Sequence, residues 1–269
     1  MGNKTGNPPL NIPKKRFTEW RGLIDGLLLG DGSVGTTGKF TMAQCESKRL
    51  GDGTLVEPWR WLLLVQERFH SLGLKTSMSR VQPTARPMID GRPIRSGPSW
   101  WMRSEVRPEL KEERERWYPQ GKKSVPQDLV LTPETIAHWI CGDGSAVRTG
   151  GFYLHTQCFT RQECERLVTL LYPARFRVEC AGRNRSQYVL QLSRVDDAYN
   201  LAREIKPYMP ESMLYKLRFV HKRKPRWKVS PESLQEAIAM YEDGCTLVEV
   251  AEHFGVTHQS LSARFKKAG

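Results

Sequence analysis

Two apolar stretches of this chain end in the same tripeptide, 112 residues apart. Ile24-Asp25-Gly26-Leu27-Leu28-Leu29-Gly30-Asp31-Gly32 closes in Gly-Asp-Gly, and so does Ile136-Ala137-His138-Trp139-Ile140-Cys141-Gly142-Asp143-Gly144. Each reads as a buried helix ending in small residues, an acid, and a glycine able to leave the helix with positive φ. The partial negative charge of a helix C-terminus opposes a carboxylate there. Two such acids side by side repel unless a cation lies between them. A divalent metal held by paired carboxylates suits phosphate chemistry. One Asp-Gly after an apolar helix is a common turn; a matched pair is a constraint on the whole fold.

Around the two stretches the chain reads as a duplicated unit with an appendage. Thr18 is positioned to cap a helix over 18–29, and Gly35-Thr36-Thr37-Gly38 turns the chain into a strand over 39–45. Trp61, Leu62, Val65, Phe69 and Leu72 recur at helical spacing after Pro58. Strands are expected over 74–81 and 99–105, around a proline- and glycine-rich loop or hairpin over 83–98, and a charged helix over 108–117. The second unit repeats the order. Thr132-Pro133 is a cap with proline at the first helical position, and strand, helix (162–171), hairpin and helix (196–206) follow.

The two nine-residue windows resemble the signature of the LAGLIDADG homing endonucleases, most closely the single-chain, two-motif, intron-encoded type. The likeness extends to 151–160 as the strand after the second motif, to 117–126 as the segment leading into it, and to 205–217 as the closing helices. It implies a mixed α+β fold: a pseudo-twofold duplicated core with antiparallel DNA-binding sheets. The first subdomain would span 17–126 and the second 127–219. The motif helices would pack along the pseudo-twofold axis, with Gly26, Gly30 and Gly142 letting the backbones approach. His138 stands where the first copy has glycine, so the copies are not equivalent. The resemblance assigns the catalytic acids to Asp31 and Asp143. These would bind Mg2+ (or Mn2+), with Gly30 and Gly142 contributing to the metal site. It assigns active-site lysines to Lys123 and Lys216, with Lys122 competing for the first place. It assigns water-orienting polar positions to Gln44 and Gln157, 13 and 14 residues after the acids.

A formal charge of +13 points to a polyanionic partner. No apolar run is long enough to span a bilayer and none reads as a signal peptide, so no membrane partner is expected. Six cysteines without a CxxC pair read as reduced thiols, with no zinc site. The hairpin of the second unit suggests how a sheet could read DNA. Arg175, Arg177 and Glu179 alternate with Phe176, Val178 and Cys180, while Gln187 and Gln191 oppose Tyr188, Leu190 and Leu192. Arg and Gln suit bidentate contacts to guanine and adenine, and Arg183 and Arg185 at the turn suit phosphates. A solvated face is the bland alternative. Lys39, Arg80, Arg86, Arg92, Arg95, Arg103 and Arg148 join the expected DNA-contacting set.

The appendage begins with a basic linker, 220–229, in a stretch (214–228) with seven lysines and arginines and no acid. Over 230–269, Ser230-Pro231-Glu232 starts a helix, Thr246 and Glu249 form a capping box, and Ala251, Gly255 and Leu261 resemble a helix-turn-helix. His258, Gln259, Ser262 and Arg264 would be exposed on its second helix for DNA; a protein-contacting helical hairpin is the alternative.

The expected protein is a monomeric, site-specific endonuclease making a metal-dependent double-strand break with 3′ overhangs in a long asymmetric DNA target. The alternatives are a maturase binding its own intron RNA and a DNA-binding transcriptional regulator. Both would tolerate loss of Asp31 or Asp143. The terminal residues lack an intein's Cys or Ser and Asn. The expected setting is the cytoplasm or nucleoid of a prokaryotic or phage-infected cell, or else an organelle matrix.

Overall fold

In a computed structural model the first motif ends helix α1 (Lys14–Leu29). The helix starts four residues before Thr18, which is therefore not its cap: Lys14-Lys15-Arg16-Phe17 contains no helix breaker. The structure describes residues 14–82, 86–87, 93–94, 97–182, 186–221 and 230–268. The chain divides into two compact units, Met1–Lys222 and Arg223–Gly269.

The first half of the larger unit continues with strands β1 (Ser33–Val34), β2 (Lys39–Cys45), β3 (Lys48–Arg49) and β4 (Leu55–Val56) and helix α2 (Arg60–Ser71). It then runs through β5 (Thr76–Val81), the short hairpin β6 (Arg86–Pro87) and β7 (Pro93–Ile94), β8 (Ser99–Val106) and α3 (Pro108–Trp117). The second half is α4 (Pro133–Asp143), β9 (Gly144–Val147), β10 (Gly151–His155), α5 (Arg161–Leu170), β11 (Arg177–Ala181), β12 (Gln187–Leu192) and α6 (Val195–Ile205). Local chemistry starts the second-half helices: Thr132 caps α4 with Pro133 at its first position, and Thr160 with Glu163 forms a capping box on α5.

The duplication is visible in the sheets. Both are four-stranded and antiparallel, ordered β1-β2-β8-β5 and β9-β10-β12-β11. Setting aside the small hairpins, each half runs in the order first, second, fourth, third. Between second strand and helix the halves differ. Fourteen residues, carrying the β3–β4 hairpin, separate β2 from α2, whereas five separate β10 from α5.

The motif helices α1 and α4 pack directly on each other. Leu23, Ile24, Leu27, Leu28 and Leu29 are buried on one, and Ala137, Trp139, Ile140 and Cys141 on the other. Glycine permits the contact: a Cβ at Gly26 would lie 2.5 Å from the Thr135 carbonyl oxygen, and one at Gly142 would lie 3.1 Å from Gly30 Cα. Gly26→Ala therefore forces the helices apart. The expected cost is about 1–3 kcal/mol of stability, read as a lowered melting temperature. His138 fills the space opposite Gly26. Its ring is buried, stacks on Trp61 and accepts that indole N–H through Nδ1 at 3.1 Å, and burial holds its pKa down at about 3. The motif-ending glycines serve space rather than handedness. Gly144 is extended (φ −79°, ψ 146°) and Gly32 is not in the positive-φ region either. A Cβ on either would come within 2.7 Å of the helix carbonyl it folds back on.

Behind α1 lies a buried ionic cluster. Asp25, 2 % exposed, accepts both terminal nitrogens of Arg116 and the Trp117 indole N–H at 2.9 Å. Glu113, 1 % exposed, accepts from Arg116 at 2.8 Å and Arg21 at 3.2 Å. The second half has Ala137 where the first has Asp25.

The smaller unit contains α7 (Pro231–Glu242), α8 (Leu247–His253) and α9 (His258–Ala268), packed around Ala237, Val250, Ala251 and Leu261. The Thr246–Glu249 capping box opens α8, and Gly255 (φ +63°) turns the chain towards α9. Among the described residues no helix is long and apolar enough to cross a membrane.

Candidate active site

The touching ends of α1 and α4 bring Asp31 and Asp143 to the same place. A Cβ on Gly142 would meet Asp31 Oδ2 at 3.5 Å. Asp31 is exposed and Asp143 half-buried. Burial first, and the charge of Asp31 second, push the Asp143 carboxyl up to about 7, while Lys123 and Lys216 pull it down.

The lysines answer the electrostatic problem of an acid at a helix C-terminus. Lys123 Nζ donates to the carbonyls of Gly30 (3.1 Å) and Gly32 (3.2 Å), and Lys216 Nζ to those of Gly142 (3.1 Å) and Gly144 (2.5 Å). Each ammonium thus neutralises one helix end and the turn beyond it. Burial lowers the pKa of both lysines, and the two aspartates act against it. Lys122 is exposed, so the register falls on Lys123.

The glutamines diverge. Gln44 donates Nε2 to Asp31 Oδ2 at 2.6 Å from within β2. Gln157 lies beyond the end of β10, is exposed, and faces His155 Nδ1 at 3.3 Å. At the end of β10, His155 shares the strand parity of Tyr153, and its Nε2 is 3.0 Å from Ser145 Oγ; burial, then Lys216, lower its pKa. Gln157, 14 residues after Asp143, draws the pairing with Gln44 past His155 to a position beyond the strand.

The outward sheet faces carry part of the expected DNA-contacting set. Arg103 lies over the Trp101 ring at 5.3 Å and donates to Ser79 Oγ at 3.1 Å; half-buried Lys39 is on neighbouring β2. On the second sheet Arg177 reaches Gln191 and Ser193, and Gln191 donates to the Tyr153 hydroxyl at 2.9 Å. Gln187 is exposed at the end of β12, and Arg148 is exposed in the β9–β10 turn. Two arginines stand elsewhere. Arg175 precedes β11 and is clamped by Asp197 through two 2.7 Å bonds, so it is not on the strand face with Arg177. Arg80 has the strand parity of Trp100 rather than Arg103 and is clamped by Glu46 at 2.6 and 2.8 Å. Carboxylates close at hand, invisible to alternation counting, took both. The side chains of Arg86, Arg92, Arg95, Arg183 and Arg185, and linker residues 222–229, lie outside the described residues. On α9, His258 and Gln259 are exposed, whereas Ser262 and Arg264 are half-buried.

The profile of the LAGLIDADG DNA endonuclease family matches residues 21–196, a span that holds both motifs. The chain belongs to this LAGLIDADG family. An uncharacterized protein, MJ1098, of Methanocaldococcus jannaschii is 31 % identical over 75 % of this chain and 74 % of its own. The cytochrome b mRNA maturase bI2 of Debaryomyces hansenii is 27 % identical over 77 % of both. Among solved structures, the homing endonuclease I-WcaI bound to its DNA recognition sequence matches with a TM-score of 0.57 at 16 % identity. That likeness covers 80 % of this chain and 95 % of I-WcaI, and it establishes the shared fold.

The raised Asp143 pKa has a thermodynamic consequence. The folded state holds a proton that the unfolded chain releases at ordinary carboxylate pH, so Asp143 costs stability as pH rises from about 4 through about 7. Relative to Asp143→Asn, the metal-free chain should lose melting temperature between about pH 5 and about pH 8. Magnesium should restore more of it at the upper pH, where Asp143 is ionised. Calorimetry of both proteins across that range, with and without magnesium, checks the sign.

Proposed function

We propose that this protein is a site-specific homing endonuclease, acting as a monomer on a long asymmetric duplex and leaving 3′ overhangs. The observation that carries it is the convergence of two carboxylates and two carbonyl-bound lysines at paired helix ends, with an antiparallel sheet on either side. The two halves differ in sequence, so the two half-targets differ.

The donor set suits a hard divalent cation. Asp31 and Asp143 supply carboxylate oxygens, and their mutual repulsion favours a cation between them. Among the described residues no group of three His, Cys, Asp or Glu could make a full protein cage. Magnesium or manganese would therefore be held by these two acids, backbone oxygens of Gly30 and Gly142, water and substrate phosphate. When bound, the metal supplies charge neutralisation and an activated water. The chain's own groups do the rest. Gln44 fixes the orientation of Asp31, and Lys123 and Lys216 hold the two helix ends while favouring negative charge on the phosphate. Water adds at phosphorus, the bond to the 3′ oxygen breaks, and the leaving oxygen takes a proton. The products are a 5′-phosphate and a 3′-hydroxyl.

Incubation with a randomised duplex library and magnesium tests this reading. Discrete paired cuts with 3′ overhangs are expected; sequence-specific binding without any cut overturns it. The three-helix unit would contact DNA through α9. His258→Ala with Gln259→Ala should then weaken binding to the recovered site by about tenfold or more without moving the cut; unchanged affinity would leave that unit to protein contacts.

A second reading, an intron RNA maturase, is favoured by the likeness to a protein named as the cytochrome b mRNA maturase bI2. It expects binding to the intron transcript that persists in Asp31→Asn and Asp143→Asn.

A further inference from the structure

The β3–β4 hairpin belongs to the first half but reaches the active-site end of the second. It bounds a cleft of about 200 Å³ lined by Lys48, Arg49, Ser145, Tyr215, Lys216 and Arg218, together with backbone of the hairpin turn and β9. Four of those side chains are cationic and no lining residue is acidic. Lys48 and Lys216 ammoniums both lie against one aromatic ring, 5.7 and 5.8 Å from the centroid of Tyr215. Lys216 has spent two of its three N–H donors on the Gly142 and Gly144 carbonyls. Among the described residues the Lys48 ammonium makes no hydrogen bond or ion pair beyond that ring contact. Arg49 closes the hairpin by donating to the Gly53 carbonyl at 3.0 Å and keeps further donors. Asp52, 60 % exposed, stands 3.6 Å from Arg218, and Asp31 and Asp143 act on Lys216 from the helix ends beside the cleft. Ser145 Oγ, paired with His155, adds a hydroxyl to the wall.

Four cations in a cleft whose lining holds no acid repel one another, and an anion that enters relieves that repulsion. We infer that this cleft is a backbone-phosphate site, built by the inserted hairpin beside Lys216 and absent from the other half. The ligand class is a nucleic-acid phosphodiester, and the inference rests on the endonuclease reading for the source of that phosphate. The short β10–α5 connection offers no equivalent hairpin to the Lys123 side. The site is therefore one-sided, and its loss should fall more heavily on one strand of the duplex than on the other.

Lys48→Gln keeps the hairpin contact of Arg49 and is the first variant; Lys48→Gln with Arg49→Gln is the second. A short fluorescein-labelled duplex carrying the recovered cut site serves as probe, with calcium replacing magnesium. The slope of log affinity against log salt should fall by about 1 for Lys48→Gln. Single methylphosphonate substitutions should reveal one backbone position where neutralisation weakens the intact chain by about tenfold and leaves Lys48→Gln unaffected. With magnesium, the variant should accumulate nicked plasmid with the break in one defined strand. An unchanged slope, equal methylphosphonate losses at every position, or equal slowing of both strands overturns the inference while leaving the endonuclease reading intact. If the intact chain cuts nothing, a duplex of arbitrary sequence replaces the probe. The slope then decides alone: a fall of about 1 supports the phosphate site without the nuclease, and no change removes it.

Discussion

Asp31→Asn and Asp143→Asn should each lower double-strand cleavage by about a thousandfold or more while leaving duplex binding in calcium intact. The magnitude follows from the chemistry assigned to the pair. A metal held by two acids contributes several kcal/mol to stabilising charge on phosphate, and about 4 kcal/mol corresponds to a thousandfold in rate. Asparagine keeps the shape and one oxygen of each side chain but removes the negative charge that favours the cation. The two substitutions should differ in their side effects. Asp143 is half-buried with its carboxyl pushed up to about 7, so its replacement relieves a burial penalty and raises stability near neutral pH. Asp31 is exposed and hydrogen-bonded to Gln44, so its replacement should leave the melting temperature nearly unchanged. Single-turnover cleavage of a plasmid bearing the selected site, beside melting curves of the same proteins, separates the two effects. Residual cleavage within tenfold of the intact chain in both variants would remove these acids from the chemistry.

Local pattern carried much of this architecture. Apolar runs ending in Gly-Asp-Gly, the Thr132-Pro133 start, the Thr246–Glu249 capping box and the strand alternation are short-range signals, and elements form where they predict them. The acids were legible because a matched pair of helix ends is rare. The lysine register was open between Lys122 and Lys123 because both sit in an irregular segment with no periodicity to fix a face. Only the folded positions of Gly30 and Gly32 select Lys123. Arg175 and Arg80 show the limit of counting alternation. Arg175 falls before β11 and pairs with Asp197, 22 residues away, while the register with β8 puts Arg80 on the Trp100 face, beside Glu46, 34 residues away. Gln157 shows how one residue of extra spacing carries a side chain past the end of a strand, so that pseudo-symmetry of sequence is not symmetry of position.

Least legible of all was the ionic cluster behind α1, and Arg116 should be among the most costly residues in the chain to remove. Asp25 sits inside the first motif, where the second has alanine, so the motif alone gives no reason for an acid there. The reason is 91 residues away: Arg116 bridges Asp25 and Glu113, while Trp117 donates its indole N–H to the same carboxylate. Burial pushes the pKa of both acids up, with Arg116 opposing it, so the cluster depends on that guanidinium to keep charge in the interior. Arg116→Met leaves two nearly inaccessible carboxyls without their main partner, and the expected loss is about 3–5 kcal/mol. The loss should deepen as pH rises. Without Arg116 both acids favour the protonated form still more strongly in the folded state, and the unfolded chain increasingly favours ionisation. Asp25→Ala alone takes one of three carboxylate partners from Arg116 and leaves the Trp117 N–H without its acceptor, and should also destabilise. Joined to Arg116→Met it removes the buried charge pair, reproducing the alanine of the second motif, and should recover part of the loss. Denaturant unfolding of the two single variants and the double at about pH 6 and about pH 8 measures the coupling. Additive losses with no pH dependence would mean that the cluster is held by packing rather than by charge.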